Sequence, residues 1–183
     1  MGDIEWVRPP RLVEVVAAYQ GFAFGAGVRT GLVDQLVACS AEDPAAALAS
    51  WASEPGVQAD LVSRQGARSS SRGKVRSQGP GALIWALPAA VQRLDEDRIR
   101  ELVALTHGPG SPACDAVIML AKNLFTPSEL DPPEADPFTA AGALAQAVRG
   151  EGRGVARAVA GALEGGPEHD VRLVAEELYR RSW

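Results

Sequence analysis

The chain has 183 residues, which is enough for one domain to bury a core without disulfides or metal ions. Hydrophobic residues make up 46% of the sequence but aromatic residues only 5%, so the core must consist mostly of alanine, valine and leucine. A net charge of -5 argues against general binding to nucleic acid or to a membrane surface. The sequence contains no signal peptide and no apolar run long enough to span a bilayer, so we expect a cytoplasmic protein.

Three helices are predicted in the first third of the chain. Pro9 and Pro10 can open a helix that Gly21 interrupts. A second helical pattern covers residues 28–37. Asp43 followed by proline is an N-cap and first-turn pair that predicts a third helix, ending near residue 52.

A basic stretch follows these helices. Residues 66–76 are small, polar and basic, and composition predicts a flexible loop because they offer nothing to bury. This loop and its flank hold the only cationic cluster of the chain: Arg64, Arg68, Arg72, Lys74 and Arg76. Such a cluster could bind phosphate, RNA or an acidic partner. No aromatic residue is present for base stacking, so we expect no specific binding of nucleic acid.

Limited proteolysis tests this prediction of a loop. Trypsin should cleave first within residues 66–76, because exposed arginine and lysine side chains stand there among residues that cannot order themselves. Mass spectrometry of the first fragments gives the result. First cleavage after Arg98 or Arg157, which lie in predicted helices, would contradict the domain organisation.

The second half of the chain continues the helical pattern. Order returns at Pro80, and Asp95 caps a further helix. The remaining signals are Ser111-Pro112, an exposed proline-rich connection over 126–136, a cap-plus-proline signal at Asp136-Pro137 before a helix over 140–148, and helices over 151–163 and 167–181. No alternating run of β-branched residues occurs. The sequence therefore predicts an all-α, compact helical bundle with a single domain over residues 1–183.

Four short segments stand out along this pattern. They are residues 21–26 (GFAFGA), 79–88 (GPGALIWALP), 106–108 (THG) and 165–170 (GGPEHD). In the last of them, two glycines precede a helix, which leaves backbone N–H groups open to an anion or to a metal-bound ligand.

Together these segments resemble the motifs of the ADP-ribosylglycohydrolase family, which includes the dinitrogenase reductase-activating glycohydrolases. The family carries Gly-Asp-Ala-Leu-Gly-Ala, Gly-Asn-Gly-Ala-Leu-Met-Arg-x-x-Pro, Thr-His and Gly-Gly-Asp-Thr-Asp-Thr, in the same order and over most of the chain. The resemblance implies a site in which two Mg²⁺ ions hold the ribose hydroxyls of ADP-ribose and the attacking water. It implies ligand-binding positions at Gly79, Gly81, Trp85, Gly165 and Gly166.

The sequence departs from the family at the acidic positions. Phe22 replaces an aspartate of the first motif, and Pro167 and His169 replace two aspartates of the last. The family's Thr-Asp-Asp-Thr segment has no counterpart, residues 29–34 being the nearest match. Glu168 and Asp170 are the remaining candidate ligands for a metal. Each is shifted by one position, which turns a helical side chain by about 100°. We therefore expect no catalytic residues and no bound metal.

Trp85 stands where the family has an arginine. A tryptophan could stack on an adenine ring or fill the old pocket from within, and filling is favoured because Pro80 replaces the asparagine that would contact ligand. The chain is also shorter than members of the family, so it resembles a shortened, degenerate relative.

Three functions follow from this resemblance. The first is an inactive pseudoenzyme that binds a protein or an ADP-ribose-like ligand and has no cofactor. The second is an active ADP-ribosyl hydrolase that uses Mg²⁺ and removes ADP-ribose from a modified macromolecule. The third is a decayed fragment without a selected function.

Overall fold

A computed structural model of the chain describes residues 6, 8–27, 30–54, 63, 66–67, 76–126, 129–166 and 171–183. Within these ranges the regular structure is helical and contains no strand, which confirms the all-α prediction. The α-helices are α1 Leu12–Ala26, α2 Thr30–Cys39, α3 Pro44–Ser53, α4 Ala86–Gln92, α5 Glu96–His107, α6 Ala113–Asn123, α7 Ala140–Val148, α8 Val155–Glu164 and α9 Arg172–Ser182, with a 3₁₀ helix at Pro80–Trp85. Over the described part of the chain, none of these helices has the length and apolarity that a membrane crossing requires.

One core joins all of these helices. Buried residues from each α-helix and from the 3₁₀ helix belong to a single contiguous cluster. Alanine, valine and leucine supply most of it, as the composition predicts. Trp85, Tyr19 and Phe22 are the bulkiest side chains that are completely buried. These three aromatic residues therefore fill the volume that small side chains leave open.

Two of the predicted N-caps are confirmed. A side-chain oxygen of Asp43 accepts a hydrogen bond from the backbone N–H of Ala46 at 3.0 Å. Asp95 accepts one from Arg98 at 2.7 Å, and two acidic residues follow it in the first turn of α5. Each cap satisfies a backbone donor that the helix itself leaves free, so α3 and α5 begin where the sequence predicts.

The helix predicted over 140–148 is confirmed as α7, but its N-cap is not Asp136. The N-cap is Thr139, three residues after the predicted aspartate. The Thr139 hydroxyl accepts from the N–H of Gly142 at 3.1 Å, whereas Asp136 accepts from the N–H of Phe138 at 2.9 Å. Aspartate commonly closes a turn in this way, and here that turn precedes the helix.

The predicted interruption of α1 at Gly21 is also wrong. The helix continues through this glycine to Ala26 because Gly21 lies where α1 crosses α8. A methyl group at Gly21 would stand 1.9 Å from the carbonyl oxygen of Gly161, and one at Gly25 would stand 2.3 Å from that of Arg157. Glycine at these positions allows the two backbones to touch, so its packing role outweighs its low helix propensity.

The basic stretch is described only at its ends. Gly66 and Ala67 are buried, and a methyl group at Gly66 would stand 1.8 Å from the carbonyl oxygen of Thr106. Arg76 is exposed and donates to the carbonyl of Gly110 at 3.2 Å. Gly66 therefore packs against α5 and Ala67 belongs to the buried core, contrary to the composition argument. Residues 68–75, together with Arg64, lie outside the described residues.

Candidate functional site

The residues of the second and third motifs meet at Trp85. This side chain ends the 3₁₀ helix and is completely buried. Its indole N–H donates to the hydroxyl of Thr106 on α5 at 3.0 Å. The burial predicted for Trp85 is thus confirmed, and its only polar atom is satisfied inside the protein. A ligand could stack on this ring only if the core opened.

Thr106 and His107 supply the polar side chains on the α5 side of the contact with Trp85. Both side chains have no exposed surface, and the Thr106 hydroxyl lies 2.8 Å from Nδ1 of His107. The hydroxyl is also 3.4 Å from the carbonyl oxygen of Val103 in the preceding turn. Threonine beside histidine can serve as a nucleophile and a base, but here neither group is accessible to a substrate. The pair therefore holds α5 against the 3₁₀ helix.

The segment before the 3₁₀ helix is fixed by hydrogen bonds. The N–H of Ser77 donates to the carbonyl of His107 at 2.9 Å, and the N–H of Gly79 donates to the Ser77 hydroxyl at 3.0 Å. The Ser111 hydroxyl donates to the Ser77 carbonyl. Gly79 is half-buried and Gly81 is buried. The predicted binding positions Gly79 and Gly81 therefore lie next to Trp85, and the Gly79 N–H is engaged within the protein.

The first and last motifs also meet. A methyl group at Gly166 would stand 2.6 Å from the Cα of Gly21, and one at Gly165 would stand 3.4 Å from the Cβ of Ala17. Gly165 has a φ of 75°, which favours glycine as the residue that ends α8. The Cα atoms of both glycines thus face α1. Their predicted role in ligand binding stays a prediction, since residues 167–170, with Pro167, Glu168, His169 and Asp170, lie outside the described residues.

Two described positions where the resembled family has a charged residue carry buried apolar side chains, Phe22 and Trp85. Phe22 is completely buried on α1, in the core that Trp85 also enters. Asp34, in the segment nearest to the missing acidic motif, is exposed on α2. Among the described residues, no three histidine, cysteine or acidic side chains converge on a point where a metal ion could bind.

Neither cysteine is suited to nucleophilic chemistry. Cys39 at the end of α2 and Cys114 in α6 are both buried free thiols. Burial raises the pKa of each thiol above its ordinary value, and for Cys39 it is the sole cause. Because the thiolate is the reactive species, both groups remain unreactive near neutral pH.

Sequence reasoning missed a buried amide on α2. Gln35 has no exposed surface, and neither its side-chain oxygen nor its nitrogen has a hydrogen-bond partner among the described residues. A buried polar group without a partner costs about 1–3 kcal/mol. Helix α2 packs against both α1 and the 3₁₀ helix. An uncompensated polar side chain therefore stands on the helix that follows the first motif. The sequence indicates this residue only through its spacing, because Gln35 lies on the same side of the predicted helix as Leu32 and Leu36.

Two clefts on the described surface lie away from the four motifs. One of about 420 Å³ runs between α2 and α9, and an open groove of about 990 Å³ follows α9. A smaller cleft of about 180 Å³ includes Gly165 and lies below the size of ordinary small-molecule sites, which begin at roughly 300 Å³.

The described residues of the four motifs are thus neighbours in space, in two pairs that share one core: the 3₁₀ helix against the end of α5, and α1 against the end of α8. The sequence matches no protein-family model, no curated protein and no solved structure.

Proposed function

We propose that the chain is a non-catalytic relative of the ADP-ribosylglycohydrolases that acts by binding a protein. In this proposal the helical bundle is a shortened form of that family's fold, and the protein works in the cytoplasm. Complete burial of Trp85, at the position of a family arginine, is the observation that carries the proposal. Its ring occupies core volume and its N–H is bonded to Thr106, so the side chain serves the fold.

Phe22 supports the same conclusion from the first motif. The resembled family has an aspartate at this position, whereas Phe22 is an apolar side chain without exposed surface. Two separate motifs have therefore exchanged charged groups for aromatic residues that pack in one core. Catalysis by two metal ions needs carboxylates that converge on one point, and aromatic side chains cannot supply them.

Gln35 favours a second form of the proposal, in which an ADP-ribose-like ligand is bound. Its buried amide has unsatisfied donors and an unsatisfied acceptor, and α2 packs against the 3₁₀ helix of the second motif. A ribose or adenine edge offers groups of the matching kind. The ligand would have to displace core residues first, and protein binding therefore remains the leading form.

Activity measurements test the loss of catalysis. The purified protein should release no ADP-ribose from modified arginine, modified serine or modified DNA bases in magnesium buffer, because the acidic segment after the first motif is missing. Chromatography of the released nucleotide gives the result. Turnover above the rate without enzyme, abolished by a chelator, would show the active hydrolase instead.

Calorimetry with ADP-ribose, with and without magnesium, separates the remaining forms. Heat of binding that is independent of magnesium would establish the ligand-binding pseudoenzyme. Binding that requires magnesium would favour the hydrolase. The absence of binding, in a protein that melts cooperatively, is expected for a domain that recognises a protein partner. A decayed fragment would instead fail to show a cooperative melting transition.

A further inference from the structure

The solvent-facing side of α9 carries an ordered row of side chains, which we call the α9 stripe. It consists of Leu173, Glu176, Glu177, Arg180 and Trp183. These residues recur three or four positions apart and so share one face of the helix. They line the open groove of about 990 Å³ together with Leu12 and Tyr179.

The two ends of the α9 stripe are apolar and exposed. Leu173 is 74% exposed and Trp183 is 54% exposed. The opposite face of α9 is already used, since Ala175 and Leu178 are buried in the core. Single exposed apolar residues are ordinary, but here a leucine and a tryptophan border one groove.

The indole of Trp183 is held in place on the protein. Its N–H donates to the carbonyl of Val91 at 3.0 Å, and the guanidinium of Arg93 lies 5.8 Å from its ring centroid. The half of the side chain that remains exposed is therefore presented in a fixed orientation, as an interface anchor requires.

The charges between the two ends have a fixed order. Acidic residues come first along the helix, at Glu176 and Glu177, and basic residues follow at Arg180 and Arg181. Within one copy Glu177 pairs with Arg180 and lies 3.8 Å from Arg181. A second helix that runs in the opposite direction would present basic groups where the first presents acidic ones. A parallel helix would instead set like charges side by side, which is unfavourable.

We propose that α9 packs against α9 of a second copy of this chain, antiparallel, around a two-fold axis that crosses the helix between Leu178 and Tyr179. This register places Glu177 of each copy opposite Arg180 of the other and brings Leu173 beside Trp183. The contact is isologous, so one patch supplies both halves of the interface and assembly stops at a dimer. Apolar contacts at both ends exclude water, and the ion pairs between them set direction and register.

Sedimentation velocity of the full chain over a dilution series tests the dimer. The wild-type protein should shift from monomer to dimer as its concentration rises. Leu173→Asp should keep the protein monomeric, because it places a charge among the apolar contacts. Phe138→Asp is the matched control, since Phe138 is 85% exposed on the segment before α7 and should leave the dimer unchanged. A wild-type monomer at every concentration would overturn the proposal and leave the stripe to another partner.

Charge reversal tests the register independently of folding. Glu177→Arg alone and Arg180→Glu alone should each weaken self-association by about tenfold or more, because each sets like charges opposite one another. The two variants mixed in equal amounts should recover the dimer, since one copy then presents two arginines and the other two glutamates. If both reversals leave the dimer unaffected, or if the mixture stays monomeric, the antiparallel register is wrong. The α9 stripe shares no residue with the four motifs, so neither result bears on the proposed function.

Discussion

Replacing Trp85 with alanine is expected to lower the free energy of unfolding by roughly 3–5 kcal/mol. The side chain is completely buried at the junction of the 3₁₀ helix and α5, so its removal leaves a cavity that rigid helices cannot close. The hydroxyl of Thr106 also loses the hydrogen bond that it accepts from the indole N–H at 3.0 Å. Urea denaturation followed by circular dichroism measures the difference.

Two milder variants separate the cavity from the hydrogen bond. Trp85→Phe keeps most of the ring volume and removes the N–H, whereas Thr106→Val removes the acceptor and leaves the indole N–H buried without a partner. The second change should cost about 1–3 kcal/mol, as expected for an unsatisfied buried donor. Phe138→Ala is the surface control, because 85% of that side chain is exposed.

Trp85→Arg restores the residue of the resembled family and should destabilise the protein more than alanine does. The arginine would bring an unpaired charge into the core, since the side chain it replaces has no exposed surface. Hydrolase activity should not appear, because Phe22 still stands where the resembled family has an aspartate. A Trp85→Arg protein that melts at the wild-type temperature would reveal an open pocket and revive the ligand-binding form.

Gly161→Ala is expected to destabilise the protein by roughly 3 kcal/mol or more, at the upper end of the costs of overpacking. The new methyl group would stand 2.0 Å from the carbonyl oxygen of Gly21, which is backbone and cannot rotate away. In an exposed helix the same substitution would stabilise the protein by about 0.5–1 kcal/mol. A destabilising effect therefore indicates that the two helices are in contact at this position. Thermal and urea denaturation both measure it.

A double-mutant cycle identifies the crossing as the cause. Gly21→Ala should cost about as much as Gly161→Ala, because its methyl group would stand 1.9 Å from the Gly161 carbonyl oxygen. The combined variant should lose less than the sum, since helices that have separated for one methyl group already accommodate the second. Phe24→Ala, a change at an exposed position of α1, is the control and should stay within about 0.5 kcal/mol. Strict additivity of the two glycine variants would contradict the packing described for α1 and α8.

Local chemistry made the helical elements predictable. Asp43 and Asp95 are caps whose partners lie three residues away, so their sequence neighbours suffice to define them. The composition likewise determined a core of small aliphatic side chains, and the absence of alternating patterns excluded strands. The burial of Trp85 followed from its apolar neighbours on one helix face, which are also local.

What the tertiary structure decided depends on residues far apart in the chain. From its local sequence, Gly21 is predicted to break a helix. Only the close approach of Gly161 shows that it is a position where two helices pack. The spacing Gly21-x-x-x-Gly25 on α1 is repeated by Gly161-x-x-x-Gly165 at the end of α8, a signal that gains its meaning once the two helices cross. Asp136 illustrates the same limit over a shorter distance, because two candidate capping residues three positions apart compete and Thr139 caps the helix.

For the candidate site, too, some features followed from the sequence and others only from the tertiary structure. The sequence by itself determined which charged residues of the resembled family are absent from the four segments, because residue identity needs no coordinates. Whether Phe22 and Trp85 leave a cavity or fill one was decided by the packing of α1, the 3₁₀ helix and α5, since side-chain volume counts only against its neighbours. The tertiary structure also decided that the α9 stripe is exposed. Amphipathic spacing shows that a helix has two faces, and the surrounding helices determine which of them is covered.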